Sequence, residues 1–379
     1  TAKRNRYIIS VYLQSRFFSM AILNQLSELL RDQQQQIDQW FAEQFSNYPA
    51  LFYNSVDIRH SGYKLAPVDT NIFPAGFNNL SAQAVTKAQA ASKEFFQDNF
   101  PDVKNILLIP ESHTRNLHYL DNISILCDIL SSSGITVKLG GLNIDENIEV
   151  VSANSRKLYI EKIHQENKQV ITDSGFVAQL IIINNDMTAG RPEILENITQ
   201  PVIPPIGLGW YYRKINLHFE AYNKVARQFA QQFGFDPFLI STEIEFCQNI
   251  NFKDKTGIEC IALGVDKILN RLRKKYAELA IEQKPYVFIK ANRGTYGMGV
   301  MSVASAEEVF NINKKERNKM NIIKNSTANE EVLIQEGVKT IDELDGAPVE
   351  PYVYMINSKI AGTILRSNKN RDSEKSLNA

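Results

Sequence analysis

A lysine at the end of an apolar stretch, followed by a glycine-rich turn, is the clearest chemical signal in the sequence. The apolar residues 286–289 lead into Lys290, and three glycines follow it within nine residues. Glycine lets backbone N–H groups approach phosphate oxygens closely, and the lysine supplies a positive charge for the same oxygens. The turn is not a Walker A loop, which needs a closing Lys-Ser or Lys-Thr pair, and not a Rossmann turn, because residues 300–303 predict a strand. We expect it to bind a triphosphate; a glycine-rich hairpin without a ligand is the alternative.

Two later stretches contain groups that a nucleotide site would need. Residues 332–338 predict a strand leading into an acidic hinge, whose backbone could bind an adenine edge while Glu336 or its neighbours hold the ribose hydroxyls. A later predicted strand ends in Arg366, and arginine can clamp a phosphoryl group during its transfer. Asn368 and Asn378 follow, and amide oxygens are hard ligands that suit Mg²⁺. Each signal is weak alone, so the order of the features along the chain carries the prediction.

A third polar cluster follows the predicted strand at residues 105–109. It consists of Glu111, Ser112, His113, Arg115 and Asn116. In an open α/β sheet, ligands bind at the carboxyl ends of the strands. There Arg115 could bind the carboxylate of an amino acid and Glu111 its ammonium, because recognition needs a partner of each sign. His113 is a candidate general base, since the unperturbed pKa of histidine lies at about 6.5.

The alternatives for this cluster are structural. Glu111 and Arg115 would cap the next helix and pair with each other, and His113 would be a polar loop residue. Asn185, at the end of another predicted strand, is a further substrate-binding candidate. Second-rank candidates come from predicted loops and turns, and these are Asp57, Arg59, Asn78, Asn79 and Arg213.

The middle of the chain must position this cluster. Residues 105–109, 135–139 and 178–184 predict strands, and residues 116–132 predict a helix between the first two. Strands that alternate with helices in this way are typical of a parallel sheet.

The chain on either side has a different pattern. Residues 19–45 predict amphipathic helices, residues 55–79, rich in Pro, Gly and Asn, predict loops, and residues 216–232 predict a long helix. The last third predicts helix 264–283 and strands at 286–290, 300–303, 332–335, 349–355 and 360–366. We therefore predict a mixed α/β and α+β fold in three parts: an N-terminal helical and loop region (1–100), an α/β substrate domain (101–240) and a nucleotide-binding α+β module (241–379).

The composition limits the classes of partner. The chain has 379 residues, 44% of them hydrophobic, and its 42 lysines and arginines balance 42 aspartates and glutamates, so net charge favours neither nucleic acid nor an anionic membrane. The run at residues 314–319 mixes both signs and predicts a solvated helix face. No stretch approaches the roughly 18–20 apolar residues that span a bilayer. We expect small-molecule partners, without nucleic acid or membrane, and leave a homo-oligomer open.

The cysteines carry a separate prediction. Cys127, Cys247 and Cys260 are odd in number and lie far apart without a CxxC pair. This pattern argues against a disulfide framework and against a zinc site, and it favours a cytoplasmic protein in which the cysteines are small buried residues.

Four segments, residues 73–79, 109–116, 290–299 and 335–338, resemble the proteobacterial ATP-grasp-like glutamate–cysteine ligases. The resemblance extends roughly from residue 57 to the end of the chain. It implies a region that precedes an ATP-grasp-like module, and it implies ATP-dependent ligation in the first step of glutathione synthesis. In that reaction ATP phosphorylates the side-chain carboxylate of L-glutamate, and the amine of L-cysteine displaces phosphate from γ-glutamyl phosphate.

The resemblance also implies roles for individual residues. Lys290 and Arg366 would be catalytic, with Arg366 at the phosphoryl group. The phosphates would be held by Lys290 together with Gly294, Thr295, Tyr296, Gly297, Met298 and Gly299. Adenine would be held by Gln335, Glu336, Gly337 and Val338, and Mg²⁺ by Asn378 and Asn368. The glutamate and cysteine candidates are Glu111, Ser112, His113, Arg115, Asn116, Asn78, Asn185 and Arg213.

The chain departs from the family pattern at its end. Residues 367–369 after Arg366 are not those expected, and the sequence stops where an Asn-Leu-Asn-like motif would continue, so we expect the nucleotide module to be truncated. Two alternatives stay open at this stage. One is another ATP-grasp carboxylate–amine ligase with different amino acids, and the other is a nucleotide-binding regulator without turnover.

Overall fold

The computed structural model describes residues 22–112, 115–293, 299–321 and 329–377. Within these ranges the helices are α1 (22–32), α2 (Gln34–Asn47), α3 (Ala82–Asn99), α4 (Leu117–Ser131), α5 (Ile215–Phe233), α6 (Ile258–Glu278), α7 (Ala306–Phe310) and α8 (Lys314–Asn321). The strands are β1 (Tyr53–His60), β2 (Leu65–Asn71), β3 (Asn105–Pro110), β4 (Thr136–Gly141), β5 (Ile148–Val151), β6 (Lys157–Glu166), β7 (Gln169–Thr172), β8 (Leu180–Asn184), β9 (Val202–Ile203), β10 (Ile244–Gln248), β11 (Val287–Ala291), β12 (Val300–Val303), β13 (Glu331–Glu336), β14 (Glu343–Leu344), β15 (Ala347–Ile356) and β16 (Lys359–Ser367).

The predicted parallel sheet is present in the middle of the chain. Its order is β5-β6-β4-β3-β8-β9, with β7 paired to β6, and the pairs β3–β4, β3–β8, β4–β6 and β8–β9 are parallel. Strands β3 and β8 are apolar and almost fully buried, as expected for a sheet covered on both faces. Pro110 is in register with Asn184, so the carboxyl ends of β3 and β8 meet.

A four-stranded antiparallel sheet, in the order β10-β13-β11-β12, forms in the last third of the chain. Helix α6 packs on it through an apolar face that shares a buried core with Ile289 and Ile334. The close packing requires Gly264 in α6, because a Cβ there would lie 2.4 Å from the Cδ1 atom of Ile334. Lys290 and residues 335–336 are thereby held on adjacent strands.

The remaining sheet joins segments that are distant in sequence. Its order is β14-β15-β1-β2, with β16 also paired to β15, and all pairs are antiparallel. Its strands come from both the first and the third of the three predicted parts. That the three predicted parts are independent units stays a prediction. The overall fold class is mixed α/β.

The loop predicted at residues 55–79 is wrong over most of its length, because β1 and β2 occupy it. Strand β1 alternates fully buried with half-buried side chains, but three of its buried positions hold Ser55, Asp57 and Arg59. Polar residues on the buried face conceal the apolar alternation by which a strand is usually recognised. Pro67 within β2 adds a second misleading signal.

The expectation that the cysteines form no disulfide is also wrong. Cys247 in β10 and Cys260 in α6 are disulfide-bonded, with 6.2 Å between their Cα atoms. The packing of α6 against β10 brings them together, and this packing is not visible in the spacing of two cysteines. Cys127 is free. No helix in the described part of the chain is long and apolar enough to cross a bilayer.

Candidate active site

Lys290 lies in β11, next to the last residue of the strand. Its Nζ donates hydrogen bonds to the backbone oxygen of Val68, at 2.8 Å, and to Oε1 of Gln335, at 2.7 Å. Burial lowers the pKa of the Lys290 ammonium, and the charge of Asp69 opposes this effect. In the described ranges no carboxylate lies within ion-pair distance of Lys290, so its charge can act on an incoming anion.

The glycine loop that follows lies largely outside the described residues. Gly294, Thr295, Tyr296, Gly297 and Met298 are among those not described. Gly299, at a φ of 62°, accepts a hydrogen bond from the backbone N–H of Ala291 at 2.8 Å, which joins the two ends of the loop. The loop therefore begins and ends beside Lys290.

The predicted adenine hinge is built into the core by several hydrogen bonds. Gln335 holds Lys290 with its Oε1 and donates from Nε2 to Oγ1 of Thr242, at 2.9 Å. The N–H of Gly337 donates to the backbone oxygen of Tyr286, and the carbonyl of Val338 accepts from Arg59. The side chain of Gln335 thus positions the lysine.

The prediction that Glu336 holds the ribose hydroxyls is wrong. Its carboxylate accepts from Nζ of Lys64 at 2.7 Å and from the backbone N–H of Glu243 at 3.1 Å. The side chains of Lys64 and Glu336 are both 0% exposed. The carboxylate of Glu336 is therefore enclosed and cannot reach ribose hydroxyls.

Arg366, in β16, is the centre of a network of charges that we call the arginine network: Arg59, Arg366, Asp57 and Glu350. Arg366 Nη1 donates to Asp57 and to Glu350, and the guanidinium lies over the ring of Tyr352, 4.6 Å from its centroid. Arg59 binds the other oxygen of Glu350 at 2.8 Å. Glu350 is thus held by two arginines, and Arg366 is fixed by two carboxylates with its side chain 26% exposed.

Asp57 occupies a special position in this network. It lies directly opposite Asp69 across the β1–β2 pair and opposite Tyr352 across the β1–β15 pair. Burial raises the pKa of the Asp57 carboxyl, Arg366 lowers it, and the charges of Asp69 and Glu350 raise it, so that the pKa is about 7. Ionised like charges at facing positions destabilise a sheet. The nearby cations offset this repulsion.

A cleft of about 930 Å³ opens onto the network. Asp57, Asp69 and Arg366 line one part of it, and Glu111 and Asp186 line another. Aromatic residues form much of the remaining wall, and these are Phe73, Tyr119, Trp210, Tyr352 and Tyr354. A volume of this size is within the range of pockets that hold small-molecule ligands.

A second cavity of about 670 Å³ shares Glu111 and Asp186 with the cleft and is also lined by Ser112 and Asn185. It lies at the carboxyl ends of β3 and β8, where the chain order reverses within the sheet and ligands are expected to bind. Oε1 of Glu111 accepts from the backbone N–H of Asp186 at 2.7 Å. The two acids therefore form the boundary between the two cavities.

Arg213 is a half-buried cation that donates hydrogen bonds to neutral oxygens. Its guanidinium donates to the backbone oxygen and Oγ1 of Thr70 and lies 4.6 Å from the ring centroid of Trp210. Burial lowers the pKa of Arg213 to about 10. Thr70 and Trp210, which Arg213 contacts, both line the cleft.

Several predicted residues are placed elsewhere or lie outside the described part. Arg115 and Asn116 are exposed, and the Oδ1 of Asn116 caps α4 by accepting from the N–H of Tyr119. Asn78 is one position away from Asn79, which lines the cleft. Asn368 closes a turn by accepting from the N–H of Asn370 at 3.0 Å. His113 and Asn378 lie outside the described residues.

Asp69, Glu350 and Tyr352 belong to the site but were not predicted from the sequence. A signal for them exists in β1, where polar residues recur at every second position. Polar side chains on the buried face of a strand require buried partners, and this requirement points to acids and arginines on the neighbouring strands.

Comparisons with known proteins show the family of the chain. Residues 27–379 match the family described as GshA, glutamate-cysteine ligase. No curated protein sequence matches the chain significantly. A crystal structure from Methylobacillus flagellatus KT, of a protein assigned as a gamma-glutamylcysteine synthetase, is 38% identical, covering 95% of this chain and 85% of that chain at a TM-score of 0.89.

Two further structures match more distantly. A glutathione synthetase-like effector (GSS30) from Globodera pallida is 12% identical, with coverage of 84% and 74% and a TM-score of 0.41. D-alanyl-alanine synthetase A from Vibrio cholerae is 11% identical, with coverage of 68% and 64% and a TM-score of 0.34, and neither similarity carries weight. The family match and the 38% identical structure both span nearly the whole chain, and they show that the chain belongs to the glutamate–cysteine ligase family of ATP-dependent enzymes.

Proposed function

We propose that ATP binds beside Lys290 in an ATP-grasp-like module, and that glutamate and cysteine occupy the cleft lined by Arg366. One observation carries this proposal. Lys290 bonds Val68 of β2, next to Asp69, and Arg366 bonds Asp57 of β1, which faces Asp69 across the strand pair. The predicted phosphate lysine and the predicted phosphoryl arginine, which come from different sheets, therefore converge on one pair of strands.

The first step transfers a phosphoryl group. An oxygen of the glutamate side-chain carboxylate attacks the terminal phosphorus of ATP, and ADP leaves. Lys290 provides a positive charge in a water-poor position, where electrostatic stabilisation is stronger than in bulk water. Arg366 offers N–H donors to the transferring group, and Asp57 and Glu350 fix the orientation of its guanidinium.

The second step joins the two amino acids. The amine of cysteine attacks the acyl carbon of γ-glutamyl phosphate, and phosphate leaves. Recognition of the amino acids requires groups of both signs. We assign Arg213, which donates to neutral oxygens of Thr70, to a substrate carboxylate, and the boundary acids Glu111 and Asp186 to a substrate ammonium.

No step is assigned to Mg²⁺. In the described part of the chain no three His, Cys, Asp or Glu side chains are placed to hold a metal ion, and Asn368 uses its oxygen to close a turn. Mg²⁺ stays an expectation from the family. The cytoplasmic location also stays a prediction.

Measurement of phosphate release from ATP, in the presence of Mg²⁺, tests the proposal. We expect release that requires both glutamate and cysteine. The Lys290→Ala variant should lose about 100-fold or more in kcat, since it removes a charge from the transferring phosphates. A matched control is Lys359→Ala, because Lys359 is an exposed lysine paired with Glu94; this variant should keep full activity. Full activity of Lys290→Ala would contradict the proposed phosphate site.

The same assay separates the alternatives. Release with aspartate or other acceptors at rates equal to those with glutamate and cysteine would indicate a different carboxylate–amine ligase. Tight ATP binding without phosphate release for any amino-acid pair would indicate a regulator.

A further inference from the structure

Ligation requires a proton acceptor, and the proposed function does not yet supply one. The α-amino group of an amino acid has a pKa of about 8, so it is largely protonated at neutral pH, whereas only the neutral amine can attack a carbonyl carbon. A group in the cleft must remove this proton close to the acyl phosphate. The inference below rests on the proposed function.

Asp57 meets the geometric requirements. Its carboxylate lines the 930 Å³ cleft, and one of its oxygens, Oδ2, accepts from Arg366, the residue assigned to the phosphoryl group. The other oxygen, Oδ1, accepts no hydrogen bond from any residue in the described ranges. Asp57 is thus a carboxylate fixed through one oxygen beside the acyl phosphate, with its second oxygen able to accept a proton.

The other carboxylates near Arg366 fit this role less well. Both oxygens of Glu350 are engaged, Oε2 by Arg59 and Oε1 by Arg366. Asp69 is less deeply buried than Asp57 and accepts the backbone N–H of Thr70 at 2.9 Å. Asp69 also lies away from Arg366 in the hydrogen-bond network, since no described bond joins the two.

We propose that Asp57 is the general base that deprotonates the cysteine ammonium, so that the neutral amine attacks γ-glutamyl phosphate. The nitrogen forms a bond to the acyl carbon, and the bond from that carbon to the phosphate oxygen breaks. The electron pair of the broken bond leaves with phosphate. One proton of the ammonium passes to Oδ1 of Asp57 before the attack and then to water in the open cleft. The second proton, released from nitrogen as the amide forms, leaves with phosphate.

The charged neighbours of Asp57 support this role. Arg366 on β16 and Lys290 on β11 favour its ionised form, and Asp69 on β2 and Glu350 on β15 oppose it. Tyr352 on β15 faces it, and Arg59 lies two residues along its own strand. Burial outweighs the attraction and raises the pKa to about 7, which is suited to a base that must accept and release a proton near neutral pH.

The test compares two acceptors in the Asp57→Asn variant of the full chain. Hydroxylamine attacks acyl phosphates and is largely unprotonated at neutral pH, so it needs no base. Both rates should fall, because Asp57 also orients Arg366, but we expect kcat with cysteine to fall at least about 20-fold more than the rate of hydroxamate formation from glutamate, ATP and hydroxylamine. The acid limb of the wild-type pH profile with cysteine, near pH 7, should disappear in the variant.

A matched control is Glu350→Gln, which also removes a carboxylate bonded to Arg366 but leaves the proposed base in place. It should lower both rates by the same factor. The ratio of the two rates within one variant does not depend on the fraction of folded protein, so a destabilised variant still gives an answer. An equal loss with both acceptors in Asp57→Asn, or no loss with either, would overturn the proposal.

The wild-type protein separates this proposal from the proposed function. If wild type makes hydroxamate and γ-glutamylcysteine, the ligase assignment stands and only the role of Asp57 is tested. If wild type makes neither product, the proposed function fails before the variant is considered.

Discussion

Two buried groups of charge differ in their composition and in their access to solvent. The pair Lys64–Glu336 is enclosed: both side chains are 0% exposed, and Nζ of Lys64 lies 3.6 Å from the ring centroid of Phe238. The arginine network instead opens on a cleft through Arg366. The enclosed pair joins one ammonium group to one carboxylate and connects the β1–β2 turn to the end of β13. The arginine network holds two charges of each sign beside a cleft, which is the arrangement that the proposed function requires.

The largest effect is expected on the free energy of unfolding, for a variant of the enclosed pair Lys64–Glu336. Lys64→Met leaves the carboxylate of Glu336 buried without its cation, and we expect the free energy of unfolding to fall by about 3–5 kcal/mol. Chemical denaturation measures it. The double variant Lys64→Met, Glu336→Leu should recover most of the loss, because the buried charge is then removed. A double variant no more stable than the single one would show that the pair does more than neutralise charge.

The next largest effect is expected on kcat, for a variant of the arginine network. Arg366→Lys keeps the charge but loses the planar fork that binds Asp57 and Glu350 together, and we expect kcat to fall by about 100- to 1000-fold. Steady-state kinetics with glutamate and cysteine measures it. The unfolding midpoint should change little relative to Lys64→Met, which separates a catalytic cluster from a structural pair.

The pH dependence of stability should differ between the two groups. The folded state binds the Asp57 proton more tightly than the unfolded chain, since the pKa rises from 3.8 to about 7, so this group contributes less stability as pH rises from about 4 to about 7. Between pH 5 and pH 8, wild type should lose about 2–3 kcal/mol relative to Asp57→Asn. Urea unfolding of both proteins at the two pH values measures the difference, and parallel curves would contradict the assigned pKa.

A smaller effect is expected beside Glu336. A Cβ at residue 337 would lie 2.2 Å from Cε2 of Tyr286, so Gly337→Ala should destabilise the protein by about 1–3 kcal/mol. Gly207→Ala is the control, because nothing lies within 4 Å of an added Cβ there. Thermal unfolding compares the two variants. Equal unfolding midpoints for the two variants would show that the side chains around Tyr286 repack to accept the added methyl group.

The sequence predicted the parts of the fold whose signals are local. Strands β3 and β8 are continuous apolar runs, and helices α4 and α5 were predicted to within a few residues, because their burial follows a simple period. The order of motifs along the chain also placed Lys290 and Arg366 in one site, and this stays a prediction.

Other parts could not be predicted, because they depend on contacts between distant segments. Asp57 and Arg59 resembled loop residues until β15 supplied the partner strand. Glu336 resembled a ribose ligand until Lys64 was found against it, and Cys247 was paired with Cys260 only through the packing of α6.

The sheet that carries Asp57 has a consequence for how the molecule is assembled. Ser55 of β1 bonds Tyr352 of β15 across a separation of 297 residues. Closing so long a loop is slow compared with forming the parallel sheet from neighbouring segments. During synthesis β1 must therefore wait, with its polar face uncovered, until β15 and β16 have emerged from the ribosome. The arginine network can therefore form only after β15 and β16 have been made, whereas the middle sheet can fold before them.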